Sequence, residues 1–198
     1  MPCQRLSFPD FRAGRQSIAM TRIMTGISTT SEEFTPISDV VLRALEKISM
    51  AAMQNTKVTG LSTGFPELDH KTSGFQPSDL ILIAARPSMG KTAFVLNIAQ
   101  HVAFKLNLPV AIFSLEMSKE QLINRMFSLE SSVDAQKLRT GQLSDQDWER
   151  LIESAGVIGK SRLVIDDTPS ITVSELRSKC RKLKADHGLS MIIIDYLQ

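Results

Sequence analysis

The sequence predicts an α/β fold, in which a parallel β-sheet is covered by helices on both faces. Segments typical of strands and helices alternate from Leu80 to Ile194, and the strand segments are short, continuous apolar runs. Of the 198 residues, 42% are hydrophobic and 22% are charged, as is ordinary for a globular protein. A chain of this length fits one domain with an appendage.

Composition argues against several other classes of protein. The longest strongly apolar run, residues 80–85, is far too short to cross a bilayer, so no membrane association is expected. Two cysteines, Cys3 and Cys180, are too few for a disulfide framework and favour a reducing compartment. The net charge of +2 indicates no globally basic surface for nucleic acid.

The N-terminal part divides into a leader and a helix. Residues 1–30 show no sustained periodicity and lead into a Ser/Thr-rich run, so residues 1–33 are expected to be a disordered or unrelated leader. Their Arg-bearing, acid-poor composition also weakly resembles an organelle transit peptide. Residues 34–58 are expected to hold a helix that begins at Pro36. Its apolar face needs a partner, either in its own domain or on a neighbouring subunit; the face comprises Ile37, Val41, Ala44, Leu45, Ile48 and Ala52.

Residues 59–198 are expected to form the main domain, starting with a turn-rich stretch. Strands are predicted at 80–85, 109–115, 162–165 and 191–194, and helices at 93–106, 118–130, 144–158 and 172–188. The pairs Ser118/Gln121 and Thr172/Glu175 have the spacing of capping boxes. Trp148 shares one helix face with apolar residues and is expected in the core.

The loop between the first predicted strand and the next helix has the pattern of a phosphate cradle. Its residues are Ala85, Arg86, Pro87, Ser88, Met89, Gly90, Lys91 and Thr92. Loop and helix N–H groups would face anionic oxygens, Lys91 would reach the β- and γ-phosphates, and the Thr92 hydroxyl would sit on Mg²⁺. The usual pattern begins with Gly where this chain has Ala85, which fits if its φ stays negative. The alternative is a chance Gly-Lys-Thr at a helix start.

A second acidic group is expected at the end of the last strand. The run 191–194 is followed by Asp195, and ligands bind at the carboxyl ends of strands in such sheets. Asp195 is therefore predicted to hold Mg²⁺ through water as the Walker B aspartate. The alternative is an Asp that simply ends a strand.

Hydrolysis also needs a group that activates water, and Glu116 is the best candidate. It closes the strand that follows the Lys91 helix, and neighbouring strands lie about 4.8 Å apart, so its carboxylate can face the γ-phosphate. The alternative is that Glu116 caps the next helix. The segment 166–169, Asp-Asp-Thr-Pro, either lines the same site or forms a capped turn.

A series of motifs carries a resemblance to a known family. They are, in order, 63–69 (TGFPELD), 72–75 (TSGF), 84–94 (AARPSMGKTAF), 113–117 (FSLEM), 138–141 (LRTG), 165–169 (IDDTP) and 194–198 (IDYLQ). This series resembles the C-terminal RecA-like motor domain of the DnaB-type bacterial replicative helicase, from about Phe34 to Gln198. The family looks the same at Ala85, and residues 1–30 do not resemble it.

The resemblance implies an ATP-dependent helicase whose ring hexamer translocates on single-stranded DNA and unwinds the duplex. ATP and Mg²⁺ would bind between subunits, and the helix from Pro36 would be the linker helix that docks on the adjacent subunit. Lys91 and Thr92 would bind phosphate and Mg²⁺, Asp195 would support the metal, and Glu116 would activate water. Primase and a helicase loader are the implied partners, in a bacterial cytoplasmic replisome.

The same resemblance implies that the sequence is a fragment. The family's primase-contacting domain, its DNA-binding loops and its arginine finger have no counterpart here. The RecA-like sheet is accordingly expected to be incomplete at the C-terminus, with the strand from Met191 lacking partners on its far side.

Two other functions stay open at this stage. The chain could be a catalytically inactive nucleotide-binding or assembly module that docks on full-length helicase rings. It could also be a recombinase or clock-type relative with the same core. The signatures at 85–92 and 114–117 favour the helicase branch.

Overall fold

The computed structural model of the protein describes residues 19–25, 34–54 and 58–197. Helices alternate with the strands after β2, as the sequence predicts. The strands are β1 (Ala19–Thr25), β2 (Leu80–Ala85), β3 (Val110–Ser114), β4 (Leu163–Asp166) and β5 (Met191–Leu197). The helices are α1 (Ile37–Gln54), α2 (Pro66–Thr72), α3 (Lys91–Gln100), α4 (Lys119–Ser131), α5 (Ala135–Thr140), α6 (Asp145–Lys160) and α7 (Val173–His187).

The strands form one five-stranded sheet in the order β2-β1-β5-β3-β4. β3 pairs in parallel with both β4 and β5, whereas β1 pairs antiparallel with both β2 and β5. β2 therefore runs in the same direction as β3, β4 and β5. The parallel α/β sheet is confirmed for these four strands, with one antiparallel strand inserted.

β1 corrects the expectation of a disordered leader over residues 1–33. Seven of those residues, Ala19–Thr25, form a strand; residues 1–18 and 26–33 lie outside the part of the chain that the structure describes. The expectation that β5 lacks a partner on its far side is also wrong, because β1 occupies that side. β1 gains its backbone hydrogen bonds from strands far along the chain, so local periodicity could not reveal it.

The core lies on both faces of the central strands. Val110 and Ile112 of β3 face α3 and α4, where Leu96, Ile98 and Met126 are fully buried. The alternate residues of β3 and β5 face α7 and pack around Cys180; they are Ala111, Phe113, Ile192 and Ile194. Burial on both sides explains why these strands read as continuous apolar runs. Burial also raises the pKa of the Cys180 thiol to about 11, so this cysteine stays a protonated core residue.

Helix starts match the expectations where a cap is encoded locally. Ser118 and Gln121 form a capping box at α4, and Thr172 and Glu175 form one at α7. The helix predicted at 93–106 begins at Lys91 and continues from His101 to Lys105 as a π-helix. The sequence reasoning missed α2 and α5, which are only 7 and 6 residues long and carry too few turns for a clear period.

Two aromatic and apolar features lie at the surface. Trp148 is 54% exposed, so its predicted core position is wrong: it stands one turn into α6, on the outside of the helix. α1 is the expected amphipathic helix, but its apolar residues are exposed, with Leu45 at 58% and Ile48 at 65%. Within the described ranges, no helix is long and apolar enough to cross a membrane.

Candidate nucleotide-binding site

The loop between β2 and α3 has the backbone of an anion cradle. Ser88 and Gly90 take left-handed conformations, with φ of 64° and 82°, and Gly90 caps α3 by accepting a hydrogen bond from the Phe94 N–H at 2.9 Å. The residues from Arg86 to Gly90 are exposed. Ala85 is the last residue of β2, in an extended conformation that does not require glycine. The departure at this position is therefore compatible with the loop.

Asp195 joins this loop to the far strand β5. Its Oδ1 lies 3.0 Å from Lys91 Nζ, and the Thr92 hydroxyl donates to its Oδ2 at 2.8 Å. The Lys91 and Asp195 side chains are only 8% and 4% exposed. Two residues of the phosphate loop and the predicted Walker B residue thus meet in one buried cluster, although they are about a hundred residues apart.

The Lys91 ammonium has bonding capacity to spare. Nζ lies 4.4 Å from the centroid of the Tyr196 ring, a cation–π distance. It is buried, and apart from the Asp195 ion pair it makes no hydrogen bond of good geometry to the described residues. Since a buried ammonium needs acceptors for its protons, the anionic oxygens of a phosphate fit this position. The Thr92 hydroxyl and the Asp195 carboxylate are oxygen donors that suit Mg²⁺.

Glu116 lies at the same edge of the sheet. Ser114 of β3 pairs with Asp195, and the Leu115 N–H donates to the Asp195 carbonyl at 2.8 Å. Glu116 follows directly, in the bend before α4, and is exposed to solvent. The cap of α4 is Ser118, so capping does not explain the carboxylate at Glu116.

The acidic segment after β4 forms a capped turn. Asp166 accepts a hydrogen bond from the Thr168 N–H at 2.9 Å and is ion-paired to Lys179 of α7. Burial opposes ionisation of Asp166, but the bonds from Lys179 and Thr168 lower its pKa to about 2. Asp167 pairs with Lys119 at the start of α4. These partners account for both carboxylates without a ligand.

Sequence reasoning did not single out Asp69, a buried carboxylate beside α3. It accepts hydrogen bonds from the Thr63 N–H at 2.8 Å and from the Thr63 and Ser62 hydroxyls at 2.7 and 2.6 Å. Burial raises the pKa of Asp69, yet these bonds outweigh it and hold that pKa below its usual value. Ser62 Oγ also lies 3.3 Å from His101 Nε2, so the network ties the segment before α2 to the end of α3. A carboxylate three residues after a Pro at a helix start was the available signal.

The strand, phosphate loop, helix and distant strand-end aspartate together define a nucleotide-binding protein with a RecA-like ATPase fold. The family model of the DnaB-like helicase C-terminal domain matches residues 60–198, and the chain belongs to this family.

Curated relatives agree with this assignment. The chain is 54% identical over 168 residues to the replicative DNA helicase DnaB of Geobacillus stearothermophilus, a match that covers 85% of this chain and 37% of the relative. It is 53% identical over 165 residues to the replicative DNA helicase DnaC of Bacillus subtilis (strain 168), covering 83% of this chain and 36% of the relative. The chain therefore spans little more than a third of the length of these two relatives.

Solved structures show the same fold. A DnaB-like replicative helicase, whose structure was described with its interactions with primase, superposes with a TM-score of 0.64 at 30% identity. That match covers 81% of this chain and 38% of the helicase. A second solved structure, an isolated ATPase domain, superposes with a TM-score of 0.67 at 30% identity, covering 79% of this chain and 54% of that one.

Proposed function

We propose that this chain binds Mg²⁺-ATP at the Lys91–Thr92–Asp195 cluster and hydrolyses it as part of a replicative DNA helicase motor. The observation that carries the proposal is the meeting of Lys91 and Thr92 on Asp195, at 3.0 and 2.8 Å. These two loop residues and a strand-end carboxylate are the side chains that phosphate and its metal require. The family match and the replicative helicases among the relatives support the coupling of hydrolysis to DNA unwinding.

Each residue has a defined part in this proposal. The N–H groups from Arg86 to Gly90 bind phosphate oxygens, and Lys91 neutralises the β- and γ-phosphates. Thr92 and, through water, Asp195 hold Mg²⁺, which would offset charge on the phosphates. Glu116 accepts a proton from the attacking water, and its solvent exposure at the carboxyl end of β3 supports that part.

The exposed apolar face of α1 supports assembly into a ring. Ile37, Leu45 and Ile48 are 77%, 58% and 65% exposed, so their burial requires another surface. We propose that α1 is a linker helix that docks on a neighbouring subunit of a homohexamer. Single-stranded DNA, primase and a helicase loader are the partners proposed for the whole protein, in a bacterial cytoplasm.

α1 also favours the second candidate function, a docking module without ATP turnover. The two candidates agree on nucleotide binding and on self-association, and they differ at Glu116. Steady-state release of phosphate from ATP separates them, because only the motor hydrolyses ATP.

Nucleotide binding is tested by isothermal calorimetry with Mg²⁺-ATP. Lys91→Ala should weaken binding at least about 30-fold, since it removes the buried cation of the cluster. Lys160→Ala, an exposed lysine at the end of α6, is the control for loss of one charge and should leave the affinity unchanged. Thermal melting of both variants checks that they are folded. Equal affinity of Lys91→Ala and the unchanged chain would refute the site.

A further inference from the structure

The strand that carries the phosphate loop is joined to the sheet through β1. In the described part of the chain, β2 pairs with β1 over six residue pairs, from Ala19↔Ala85 to Met24↔Leu80, and with no other strand. β1 pairs along its other edge with β5. Ala19–Thr25 therefore supplies the backbone hydrogen bonds that link β2 to the β5-β3-β4 part of the sheet.

This arrangement sets the spacing of the nucleotide site. Neighbouring strands lie about 4.8 Å apart, so one inserted strand separates β2 and β5 by about 10 Å. Thr21 pairs with Ile83 on one side and with Asp195 on the other, which places the end of β2 level with Asp195. Lys91 and Thr92, which follow the loop after β2, then meet Asp195 in this register.

β1 lies outside the segment that the helicase family model matches, which begins at residue 60. Side-chain packing also holds β2, since Ile81 and Ile83 contact the core, but they are only partly buried. Because packing of two side chains leaves the register of a strand free to slip, the ladder with β1 is what specifies it.

We infer that the slot between β2 and β5 is a strand-binding site, filled by Ala19–Thr25 of the same chain, and that this segment positions the phosphate loop against Asp195. The occupancy of the slot is independent of the proposed function, whereas the effect on nucleotide rests on it. β1 is thus a positioning element supplied from outside the family domain.

Cross-linking in the full chain tests the occupant. Arg22 is the register partner of Leu82, and cysteines at directly paired strand positions can reach each other, so Arg22→Cys with Leu82→Cys should form an intramolecular disulfide on mild oxidation. Cys3→Ser removes one native thiol, and the other, Cys180, is buried. The control pairs Arg22→Cys with Val164→Cys, an exposed position on β4 at the far edge of the sheet. No disulfide, equal yields in both pairs, or a disulfide-linked dimer would overturn occupancy by the same chain.

A proline in β1 tests positioning. Arg22→Pro removes a ladder N–H and cannot stay in a central strand, whereas Arg22→Val keeps the N–H and a strand-forming side chain. The proline variant should speed amide exchange in Leu80–Ala85 at least about tenfold and weaken Mg²⁺-ATP binding at least about tenfold relative to the valine variant. Equal exchange and affinity in the two variants would overturn the positioning role, even if the disulfide forms.

The two proposals fail in different ways. If the unchanged chain binds no Mg²⁺-ATP, the proposed function fails, while the disulfide and the exchange in β2 still decide whether β1 fills the slot. If the proline variant does not fold, the disulfide in the cysteine pair decides the occupancy without it, and Arg22→Val against a strand-breaking Arg22→Gly repeats the exchange measurement.

Discussion

Asp195 carries the largest share of the site's geometry, because it bonds both Lys91 and Thr92. A buried ion pair contributes little net stability, since desolvation of both charges offsets their attraction. Breaking it is costly, because the remaining charge is left buried without its partner. Lys91→Ala is therefore expected to lower the melting temperature as well as the affinity for nucleotide, and the two effects must be measured separately.

Glu116 is the residue whose role depends on chemistry rather than binding. Glu116→Gln keeps the size and hydrogen bonding of the side chain and removes the base. We expect ATP turnover to fall at least about 100-fold, with the Kd for Mg²⁺-ATP changed less than about twofold. Phosphate release and calorimetry measure the two quantities.

Glu120→Gln is the matched control, because Glu120 is also exposed and lies in the first turn of α4. Turnover by Glu116→Gln within about twofold of the unchanged chain would remove Glu116 as the base. If the unchanged chain binds ATP but releases no phosphate, the docking module becomes the better description.

Among the elements, α5 and α6 are joined by one ion pair at a helix start. Asp147 of the α6 capping box lies 3.0 Å from Lys137 of α5 and also accepts bonds from Ser144. Lys137 and then Ser144 lower the pKa of Asp147 to about 2. The link is local in sequence and ties down a 6-residue helix that has no buried residue of its own.

This depressed pKa predicts how the stability link depends on pH. Because the folded value lies below the ordinary value of about 3.9, Asp147 stabilises the fold above about pH 4, and the contribution is lost as the pH falls towards 2. Asp147→Asn should therefore unfold at lower urea than the unchanged chain at about pH 6, with a difference that shrinks below about pH 4. Asp145→Asn, an exposed charge in the same turn, is the control. A difference that stays constant from about pH 6 to about pH 3 would contradict the ion-pair account.

At the scale of the whole molecule, α1 is the element that the described fold leaves uncovered. If its apolar face docks on another copy, the weight-average mass in sedimentation should rise with protein concentration. Leu45→Glu puts a charge at the middle of that face and should weaken association at least about tenfold. Lys47→Glu, an exposed residue of the same helix, changes charge outside that face and should have less effect. A mass that is independent of concentration would contradict docking between copies.

The sequence by itself determined the features that depend on neighbours along the chain. The start of α3 after the Gly-Lys-Thr loop, the capping boxes of α4 and α7, and the apolar runs of β3 and β5 follow from residue type and spacing. Asp195 was recognised because an apolar strand precedes it, and its bonds to Lys91 and Thr92 agree with that prediction.

Tertiary structure alone decided the features that depend on distant partners. β1 is a strand because β2 and β5 offer it hydrogen bonds on both edges, and its own residues show no period that could predict this. Trp148 is at the surface because an aromatic on one face of a helix is buried only where another element covers that turn. Asp69 became a network centre because Ser62 and Thr63 are brought around it, with His101 beyond Ser62. Spacing along a chain fixes local conformation, whereas which surfaces and strand edges meet is set by the packing of the whole molecule.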